Sequence, residues 1–532
     1  MNSLVIIFIS IVCFVAAYAT YGSWLAKKWG LDPKRPTPAH TRADGVDYVP
    51  AKAPVLLGHH FSSIAGAAPI IGPISAAVFG WLPVVLWIVL GSIFFGGVHD
   101  MGALFASVRH DGKSIGEVIS VNMGQTGKKL FSWFAWLTLL LVIAAFTAIC
   151  ASTFTNVPSA ATSSLLFMVL AVAFGFLVYR RGAGLAVSSV IGVALLFVCI
   201  WLGLKFPLSL SFNTWVIILL VYIGIASVAP VWILLQPRDY LNSFLLYAML
   251  IGGALGVLIK NPKFELAPVT AFNTGGTNYL FPMLFVTVAC GAISGFHSLV
   301  GSGTTSKQID NEKDIKLIGY GSMLIEGFLA ILAITTAAYI GGDQLKELLA
   351  NGGPTNVFAN GLGNFMASFG IPFETGKSFT ALTISAFALT SLDTATRLGR
   401  FIFQEMFDTK EGSVLGNMYV ATGITVVLGG ALTFKGWRNI WPIFGSANQL
   451  LAALALLSLA VYLKKIGKDY RMASIPTVFM FTVTVLALIL LIYGKIQAGF
   501  AANAPLIIIA IVLLILSIVL IKEGIKALSD DK

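Results

Sequence analysis

Ionisable side chains are scarce in this chain, and five of those in or beside long apolar stretches are candidates for substrate binding or proton transfer. They are His59, His60, His99, Asp100 and His297. An ionisable group at the centre of a membrane-spanning helix costs about 2.5–3.5 kcal/mol on insertion scales, and therefore indicates function. Imidazole titrates near neutral pH, so these side chains could bind substrate or relay protons, and a carboxylate on a neighbouring helix would orient them. The alternative interpretation is that each histidine hydrogen-bonds a neighbouring helix.

The same five residues, His59, His60, His99, Asp100 and His297, are also the candidates for a transition-metal site, because imidazole and carboxylate are common metal ligands. No recognised ligand spacing such as H-E-x-x-H is present. The metal site is therefore the secondary interpretation, and no cofactor is required.

Other polar side chains occur near the ends of the apolar stretches. Ser302, Thr304 and Thr305 carry hydroxyls that could help to hold a sodium ion, or could hydrogen-bond their own helix backbone. Four charged residues are predicted to form a gate or an anchor. They are Arg238, Asp239, Glu326 and Asp393.

Composition sets the environment in which these groups must act. The 532 residues are 57% hydrophobic and only 11% charged, with a mean hydropathy of +0.88, whereas soluble domains average about 25% charged residues. A soluble enzyme, a DNA-binding protein and a disordered scaffold are excluded. The chain is a polytopic membrane protein, whose expected partners are a small-molecule substrate and the lipid bilayer, with no nucleic acid; the oligomeric state is left open.

Apolar stretches near 20 residues predict about fifteen transmembrane helices. They must be helices, because a spanning segment has to satisfy its own backbone hydrogen bonds in lipid. The predicted spans are 3–26, 58–80, 82–107, 131–152, 163–179, 185–204, 214–235, 243–260, 279–303, 319–341, 378–396, 414–434, 442–463, 475–494 and 504–521.

The basic residues predict the orientation of these spans. With the N-terminus outside and the C-terminus inside, 26 of the 34 Lys and Arg residues fall on the cytoplasmic side and 8 on the other. We therefore attribute the net charge of +11 to the basic residues that set the orientation of the spans in the membrane. The first apolar stretch lacks a positive segment before it and is interpreted as a retained span rather than a signal peptide. The four cysteines lie in apolar segments and suggest neither disulfides nor a metal site.

Two predicted spans have interrupted helical patterns. The second contains Gly66 and Pro69, and the seventh ends near Pro230, Trp232 and Pro237; proline removes a backbone donor and clashes with the preceding turn. The two spans run in opposite directions, five spans apart, as in the inverted five-helix repeat of amino-acid transporters, where half-helix ends bind substrate and coupling ion. Ordinary proline kinks are the alternative. Gly66, Pro69 and Trp232 join the substrate-site candidates.

This pattern divides the chain into four segments. Residues 1–57 form a peripheral first helix and a cytoplasmic loop, 58–212 the first repeat of spans two to six, and 213–400 the second repeat of spans seven to eleven. Residues 401–532 form peripheral spans twelve to fifteen. A nucleotide-driven pump is excluded, because the Gly-Lys-Ser sequences at 112 and 376 lack the earlier glycine of a phosphate-binding loop. Energy must then come from an ion gradient.

Ten sequence blocks resemble the carbon starvation protein family of the CstA type. They are DGVDYVP (44–50), GHHF (58–61), IAGA (64–67), RHDG (109–112), PRDYL (237–241), CGAISGFH (290–297), SGTT (302–305), IGYG (318–321), LDTATR (392–397) and WPIFGSANQ (441–449). The resemblance implies a multi-pass protein of the bacterial inner membrane that takes up nutrients when carbon is scarce, with peptides and pyruvate as substrates of different members. This chain is shorter than the best-known members, chiefly between spans ten and eleven and at its end.

The combined prediction is an ion-coupled secondary transporter, not an enzyme. It would import small carboxylate-bearing nutrients, with peptide as the first candidate and pyruvate as the alternative, coupled to H⁺ or Na⁺. The half-helix that begins at Pro69 would offer free N–H groups and a positive dipole to the substrate carboxylate. A membrane sensor that binds a metabolite without moving it is the rival from another class, and a channel is a further alternative.

Overall fold

The computed structural model describes residues 2–44, 47–229, 235–407 and 413–529. Within these ranges every regular element is a helix, and the β-type contacts are isolated bridges, such as that of Ala51 with Ile309. The predicted all-helical class is confirmed. Pro230 and Trp232, which belonged to the predicted second interruption, lie outside the described residues.

The described helices fall into two halves on either side of a 260–280 loop. Those before it are α1 (Ser3–Ala17), α2 (Ser23–Trp29), α3 (Pro38–Thr41), α4 (Ala53–Ile64), α5 (Ala68–Ala76), α6 (Trp81–Gly91), α7 (Gly97–Arg109), α8 (Ile115–Asn156), α9 (Pro158–Gly175), α10 (Leu185–Lys205), α11 (Phe212–Val228) and α12 (Leu235–Lys260). Those after it are α13 (Leu280–Val288), α14 (Gly295–Gly303), α15 (Ser322–Ala338), α16 (Gly342–Ala350), α17 (Gly353–Ala367), α18 (Phe373–Phe407), α19 (Met418–Thr433), α20 (Trp437–Lys465), α21 (Arg471–Gln497) and α22 (Phe500–Ser529).

Short segments of other helical geometry join several of these helices. Four are π-helical, at Tyr18–Gly22, Ser92–Gly96, Phe176–Arg180 and Lys316–Gly321, and three are 3-10 turns, at Ala77–Phe79, Ala289–Gly291 and Thr305–Lys307. Three of the π-helical segments connect α1 to α2, connect α6 to α7 and precede α15 without a break. As a result, continuous spans such as Ser3–Trp29 and Trp81–Arg109 are longer than the individual α-helices.

Eleven helical segments of the described residues are long and apolar enough to cross a membrane, and the bent pair α4–α5 makes up to twelve. A multi-pass membrane protein is thereby confirmed. The remaining three predicted spans coincide with α11, α19 and α18. Helices α11 and α19 have only 17 and 16 residues, whereas α18 has 35 but is more polar. The total of fifteen spans therefore stays a prediction.

The predicted interruption of span two is present between α4 and α5. The two helices meet at an angle of 48°, and the helical hydrogen-bond pattern tightens at Gly66, whose N–H donates to the Ile64 carbonyl at 2.8 Å. Pro69 lies in the first turn of α5. Backbone N–H groups in a first turn make no hydrogen bond within the helix, so the N–H that proline lacks is not needed there. Pro69 therefore starts the second half-helix.

The predicted interruption of span seven falls at residues 230–234, outside the described ranges, and stays a prediction. Helix α11 is continuous to Val228, and Pro237 lies in the first turn of α12. A further interruption lies between α13 and α14, where Ala289 has a φ of 45° and Ser294 is extended. Glycines, small side chains and Ser294 occupy this segment without a proline, so the proline pattern missed it.

Long helices form the centre of the bundle. Helix α8 packs along α18 and α20, and the most apolar part of α20 is wholly buried within the protein, whereas α1–α2, α10 and α22 are mostly exposed. Helix α20 is thus buried by its neighbours, while the division of the chain that assigns 401–532 to peripheral spans stays a prediction. The physical reason for the burial is that an apolar span can face lipid or protein, and α20 carries small and polar residues such as Ser446 and Asn448 that suit protein contacts.

The interrupted helices approach each other closely through glycine. A Cβ atom placed on Gly72 of α5 would lie 2.2 Å from the Val288 carbonyl oxygen of α13, and one on Gly445 of α20 would lie 2.1 Å from the Val286 carbonyl oxygen. In lipid, helices associate through such close packing because there is little hydrophobic gain between them. Helices α5, α13 and α20 thus form one tightly packed unit around the interruption between α13 and α14.

Candidate functional site

A buried cluster of ionisable side chains lies where α7, α14 and α15 meet. Both carboxylate oxygens of Asp100 are used: Oδ1 lies 2.7 Å from Nδ1 of His99, and Oδ2 lies 2.8 Å from Nδ1 of His297. All three side chains are at most 1% exposed. The structure thus brings together three of the predicted candidates and gives Asp100 the orienting role expected of a neighbouring carboxylate.

Glu326 of α15 completes this cluster. Its Oε2 lies 3.2 Å from Nε2 of His297, and its side chain is fully buried. The pair is within ion-pair distance, but its angles do not form a hydrogen bond, so neither Glu326 oxygen has a hydrogen-bond partner in the described part of the chain. Glu326 was predicted to be a gate or anchor; its position instead places it beside the histidines. We call His99, Asp100, His297 and Glu326 the histidine–carboxylate cluster.

His60 connects the first interrupted helix to α14. Its Nδ1 lies 2.8 Å from Oγ1 of Thr305, and its Cε1 lies 3.9 Å from the position that a Cβ on Gly301 would take. The Nε2 atom of His60 is buried and has no partner among the described residues. His59, the preceding residue, is only partly buried. The two adjacent histidines therefore have different surroundings, and His60 is the one that lies beside Thr305, in the turn that follows α14.

The three hydroxyls proposed for an ion are occupied by hydrogen bonds. Ser302 donates to the Ser298 carbonyl at 2.6 Å and accepts from the Ile115 N–H at 2.9 Å, while Thr304 donates to Val300 at 2.9 Å. The bonds that Ser302 and Thr304 donate correspond to the alternative interpretation, in which the hydroxyls bind the backbone, whereas Thr305 lies beside His60. The described residues also contain no group of three or more His, Cys, Asp or Glu side chains that could hold a metal ion.

The predicted gate residues Arg238, Asp239 and Asp393 form a second buried network between α11, α12 and α18. Arg238 pairs with Asp393 and lies 3.2 Å from Asp239. Tyr222 links the network, because it accepts from Arg238 at 2.6 Å and donates to Asp393 at 2.9 Å. Thr390 donates to Asp239 at 3.1 Å. The paired charges and neutral donors make this network an anchor that joins three helices.

The two interruptions are in contact with polar side chains of other helices. A Cβ on Gly66 would lie 2.4 Å from Oγ of Ser391, which is buried and has no hydrogen-bond partner in the described ranges. At the other interruption, Asn448 of α20 accepts from the Phe296 N–H at 2.9 Å and so caps the first turn of α14. Helix α14 therefore has a protein cap, while Ser391 faces the α4–α5 interruption unpaired.

Ion pairs close the end of the bundle that is predicted to be cytoplasmic. Arg109 makes a bidentate contact to Glu312 at 2.7 and 2.9 Å, and the buried Glu312 also accepts from the Asp32 N–H at 2.9 Å. Arg42 contacts Asp111 at 2.8 Å in an exposed pair at the same end. These contacts tie the 30–52 loop to the end of α7 and to the segment after α14.

His110 lies at this end, just beyond α7. Its Nδ1 is 2.7 Å from the Ala106 carbonyl, and its ring packs edge-on against Tyr462 at 4.8 Å. Partial burial lowers the pKa of His110, and the hydrogen bond to Ala106 opposes this shift only in part. The neutral imidazole is therefore the form that the fold favours.

An open cavity of about 440 Å³ lies at the opposite end of the bundle, with Asn156, Asn351, Trp437 and Arg438 in its wall. A narrower pocket next to it shares Ser152 and Trp437 and reaches Ile71 of α5. The wall of neither includes the histidine–carboxylate cluster. We call the larger cavity the vestibule; the vestibule and the ion pairs lie at opposite ends of the bundle.

Several residues of these sites were not identified from sequence. Glu312 lies in a run of charged residues, Asp310 to Asp314, that is typical of a solvated loop, and no local pattern marks its burial. Asn448 lies in the 441–449 block, which carried the family resemblance but no assigned role. Tyr222 and Ser391 have no distinguishing sequence signal, because their roles depend on contacts between distant helices.

A family model and the most similar relatives place the chain in the same protein family. The family model described as "Carbon starvation protein CstA" matches residues 2–351 and 341–487. The chain is 32% identical to the pyruvate/proton symporter BtsT of Escherichia coli (strain K12), covering 92% of this chain and 81% of that protein. It is also 32% identical to the peptide transporter CstA of the same organism, covering 91% and 80%.

Among solved structures, the chain is similar to a crystal structure of the Eremococcus coleocola manganese transporter. The TM-score is 0.54 at 11% sequence identity, covering 91% of this chain and 99% of the other. At this identity the similarity shows the fold alone, which is that of a helical membrane transporter.

Proposed function

The chain belongs to the carbon starvation protein CstA family, and we propose that it is an ion-coupled secondary transporter that imports small carboxylate-bearing nutrients. Peptides are the first candidate substrate, taken up across the bacterial inner membrane when carbon is scarce. Of the two relatives described above, one is named a peptide transporter and the other a pyruvate/proton symporter. The proton is the coupling ion that the side chains of this chain favour.

The observation that carries this proposal is the histidine–carboxylate cluster. Three helices place two carboxylates and two imidazoles in a fully buried site. Buried charges that do not pair completely are costly and are retained chiefly where they serve a function. Imidazole titrates near physiological pH and can exchange a proton with the carboxylate beside it. The site thus suits a proton as the coupling ion.

An inverted repeat would give this cluster alternating access. We pair α4–α5 with α13–α14, α6–α7 with the Lys316–Ala338 span, α8 with α18, α11 with α19, and α12 with α20. Each pair but the last is in direct contact, α11 and α19 are both unusually short, and α8 and α18 are the longest of the described helices. The hairpin α9–α10 and the pair α16–α17 are then insertions, which replaces the predicted repeat boundaries of 58–212 and 213–400.

The first interruption is where we place the substrate carboxylate. Helix α5 begins there, and a helix N-terminus favours an anion through its unpaired N–H groups and its dipole. Ser391 supplies a buried, unpaired hydroxyl at this point. The narrow pocket beside the vestibule has Ile71 of the same helix in its wall, and we propose that the substrate approaches from this side.

Pyruvate is the second candidate substrate. The pyruvate/proton symporter matches this chain as well as the peptide transporter does, at 32% identity over nearly the same share of the chain. A single carboxylate would satisfy the α5 N-terminus in either substrate, so this contact does not separate them.

Uptake into liposomes that contain the purified protein tests the proposal. Labelled pyruvate and a labelled dipeptide are compared under an inward proton gradient, an inward sodium gradient and no gradient. We expect accumulation of one substrate under the proton gradient, and loss of that accumulation in His60→Gln and His297→Gln with normal expression. Glu347→Gln, on the exposed face of α16, is the matched control.

Other outcomes would separate the alternatives. Flux that no gradient changes would contradict coupled transport, and uptake driven only by sodium would reject the proton. Binding of a substrate without flux would favour the sensor. Unchanged uptake in both histidine variants would remove His60 and His297 from the site.

A further inference from the structure

Glu326 stands apart from the other buried carboxylates in its hydrogen bonding. Asp100 accepts from two imidazoles, and Asp393 pairs with Arg238 and accepts from Tyr222. Neither oxygen of Glu326 accepts a hydrogen bond from any described residue, although the side chain is fully buried. An ionised carboxylate in such a position is costly unless a counter-charge or a proton compensates it.

The geometry of His297 determines what compensates Glu326. Because Nδ1 of His297 faces Asp100 at 2.8 Å, its proton is donated there, and Nε2 is left to face Glu326 at 3.2 Å. Asp100 also faces Nδ1 of His99 at 2.7 Å, so two N–H donors hold it in its ionised form. Asp100 is therefore unsuited to take up a proton, and the pair of His297 and Glu326 is the part of the cluster that can.

A count of charges gives the number of protons that this pair can exchange. With one proton between Nε2 and Glu326 and with Asp100 ionised, the cluster has a net charge of −1. A second proton makes both His297 and Glu326 fully protonated, and the net charge becomes zero. Because a buried net charge is unfavourable, the neutral form is the one suited to a closed, water-free site.

We propose that Glu326 carries the exchangeable proton of the transport cycle, and this inference rests on the proposed function. A hydronium ion on the side of the vestibule loses a proton as its O–H bond breaks, and a new O–H bond forms at Glu326 while His297 holds its own Nε2 proton. The cluster is then neutral while the site is closed. When the opposite end opens, the O–H bond breaks and the proton passes to water there, which restores the charge of −1.

The surroundings of Glu326 are consistent with this role. Its charged neighbours are His297 from α14 and Asp100 from α7, while α5, α6 and α17, which pack on α15, contain no ionisable residue. Other titratable groups on elements packed against α15 are Cys13, His59, His60, His99, Arg109, Arg238, Asp239, Tyr240, Tyr247, Lys260, Cys290, Lys316 and Tyr320. The hydrogen bonds and ion pairs described for these groups do not involve Glu326.

Infrared difference spectroscopy of the purified protein tests the inference without any substrate. As the pH is raised, the carbonyl stretch of a protonated, buried carboxylic acid should disappear in the wild type, and Glu326→Gln should lack this signal. Glu347→Gln should retain it. If Glu326→Gln does not fold, Glu326→Asp keeps a carboxyl at the same place and should retain the signal at a shifted pH. An identical signal in wild type and Glu326→Gln would overturn the inference.

Transport measurements then separate this inference from the proposed function. In Glu326→Gln we expect complete loss of proton-driven accumulation, while exchange of labelled for unlabelled substrate across the membrane continues. Proton-driven accumulation that survives in Glu326→Gln would reject Glu326 as the carrier and leave the proposed function standing. Absence of all flux in the wild type would reject the proposed function, and the infrared signal would still decide the role of Glu326.

Discussion

At the scale of single residues, burial acts differently on carboxylates with different partners. Asp393 is buried with the permanent charge of Arg238 and a tyrosine donor, so its ionised form is compensated. Glu326 faces only an imidazole that can itself lose its charge. The first arrangement suits a permanent anchor, and the second suits a group that changes its protonation.

Replacing Asp393 by asparagine should therefore destabilise the protein. The Arg238 charge would remain buried with Asp239 as its single carboxylate partner, and removal of one partner of a buried pair costs about 3–5 kcal/mol. Thermal unfolding in detergent, followed by size-exclusion chromatography, measures the effect. Asp343→Asn is the control, because the pair of Asp343 with Lys346 is exposed to solvent; equal losses in both variants would contradict the anchor.

His110 should make stability depend on pH. Burial lowers its pKa below the ordinary value of 6.5, so the unfolded chain binds a proton before the folded protein does. The contribution of His110 is fully present at high pH and is lost as the pH falls below about 6.5. The melting temperature of the wild type should decrease more steeply over this range than that of His110→Gln, and parallel curves would refute the expectation.

At the scale of elements, the interrupted helices depend on residues too small to separate the backbones. Gly72 allows α5 to approach the Val288 carbonyl of α13, and backbone atoms cannot rotate away as a side chain can. The contact therefore fixes the distance between the two interrupted helices.

Gly72→Ala should reduce both stability and uptake. The added methyl group would lie 2.2 Å from the Val288 oxygen, and forced overpacking of this kind costs about 1–3 kcal/mol. Gly423→Ala in α19, which has open space around it, should be neutral or slightly stabilising, because alanine is the better helix former. Melting temperatures of the two variants, with uptake rates, make the comparison; similar values would show that the close approach is not required.

At the scale of the whole molecule, the two ends of the bundle differ. One end has the 440 Å³ vestibule, and the other is closed by the bidentate contact of Arg109 with Glu312. In the alternating access that we propose, this asymmetry corresponds to a state in which ion pairs hold one side shut.

Glu312→Gln should open the closed end. Loss of the carboxylate charge weakens the contact of Glu312 with Arg109 and Arg35, so the buried Ser306 position should become accessible. A cysteine at Ser306, labelled with a membrane-impermeant maleimide in inside-out vesicles, should react faster in the Glu312→Gln background. The parent without this cysteine gives the background of the native thiols. Arg42→Gln, which breaks only the exposed pair with Asp111, should leave the rate unchanged; an equal increase would contradict the role of Glu312.

The predicted orientation is tested in intact cells. A cysteine in place of Thr274, in the exposed 260–280 loop, should react with the impermeant maleimide, and one in place of Lys34 should react only after permeabilisation. The reverse pattern would place the N-terminus inside.

Sequence by itself determined the class of the molecule and the candidate groups. Apolar length and backbone hydrogen bonding require helices, so the predicted spans coincide with helices in the structure. The scarcity of charge inside them identified His60, His99, Asp100 and His297, and Gly66 with Pro69 marked the first interruption.

Tertiary structure decided which of these groups act together. It placed Glu326 beside His297 and paired Asp393 with Arg238 in a buried ion pair. It also located an interruption at 289–294 and buried α20 at the centre of the bundle. The physical reason is that hydropathy depends on each residue and its neighbours in the chain, whereas charge pairing depends on distances between helices far apart in sequence. His297 and Asp100 are separated by 197 residues, and only the packing of α7 against α14 brings them to 2.8 Å.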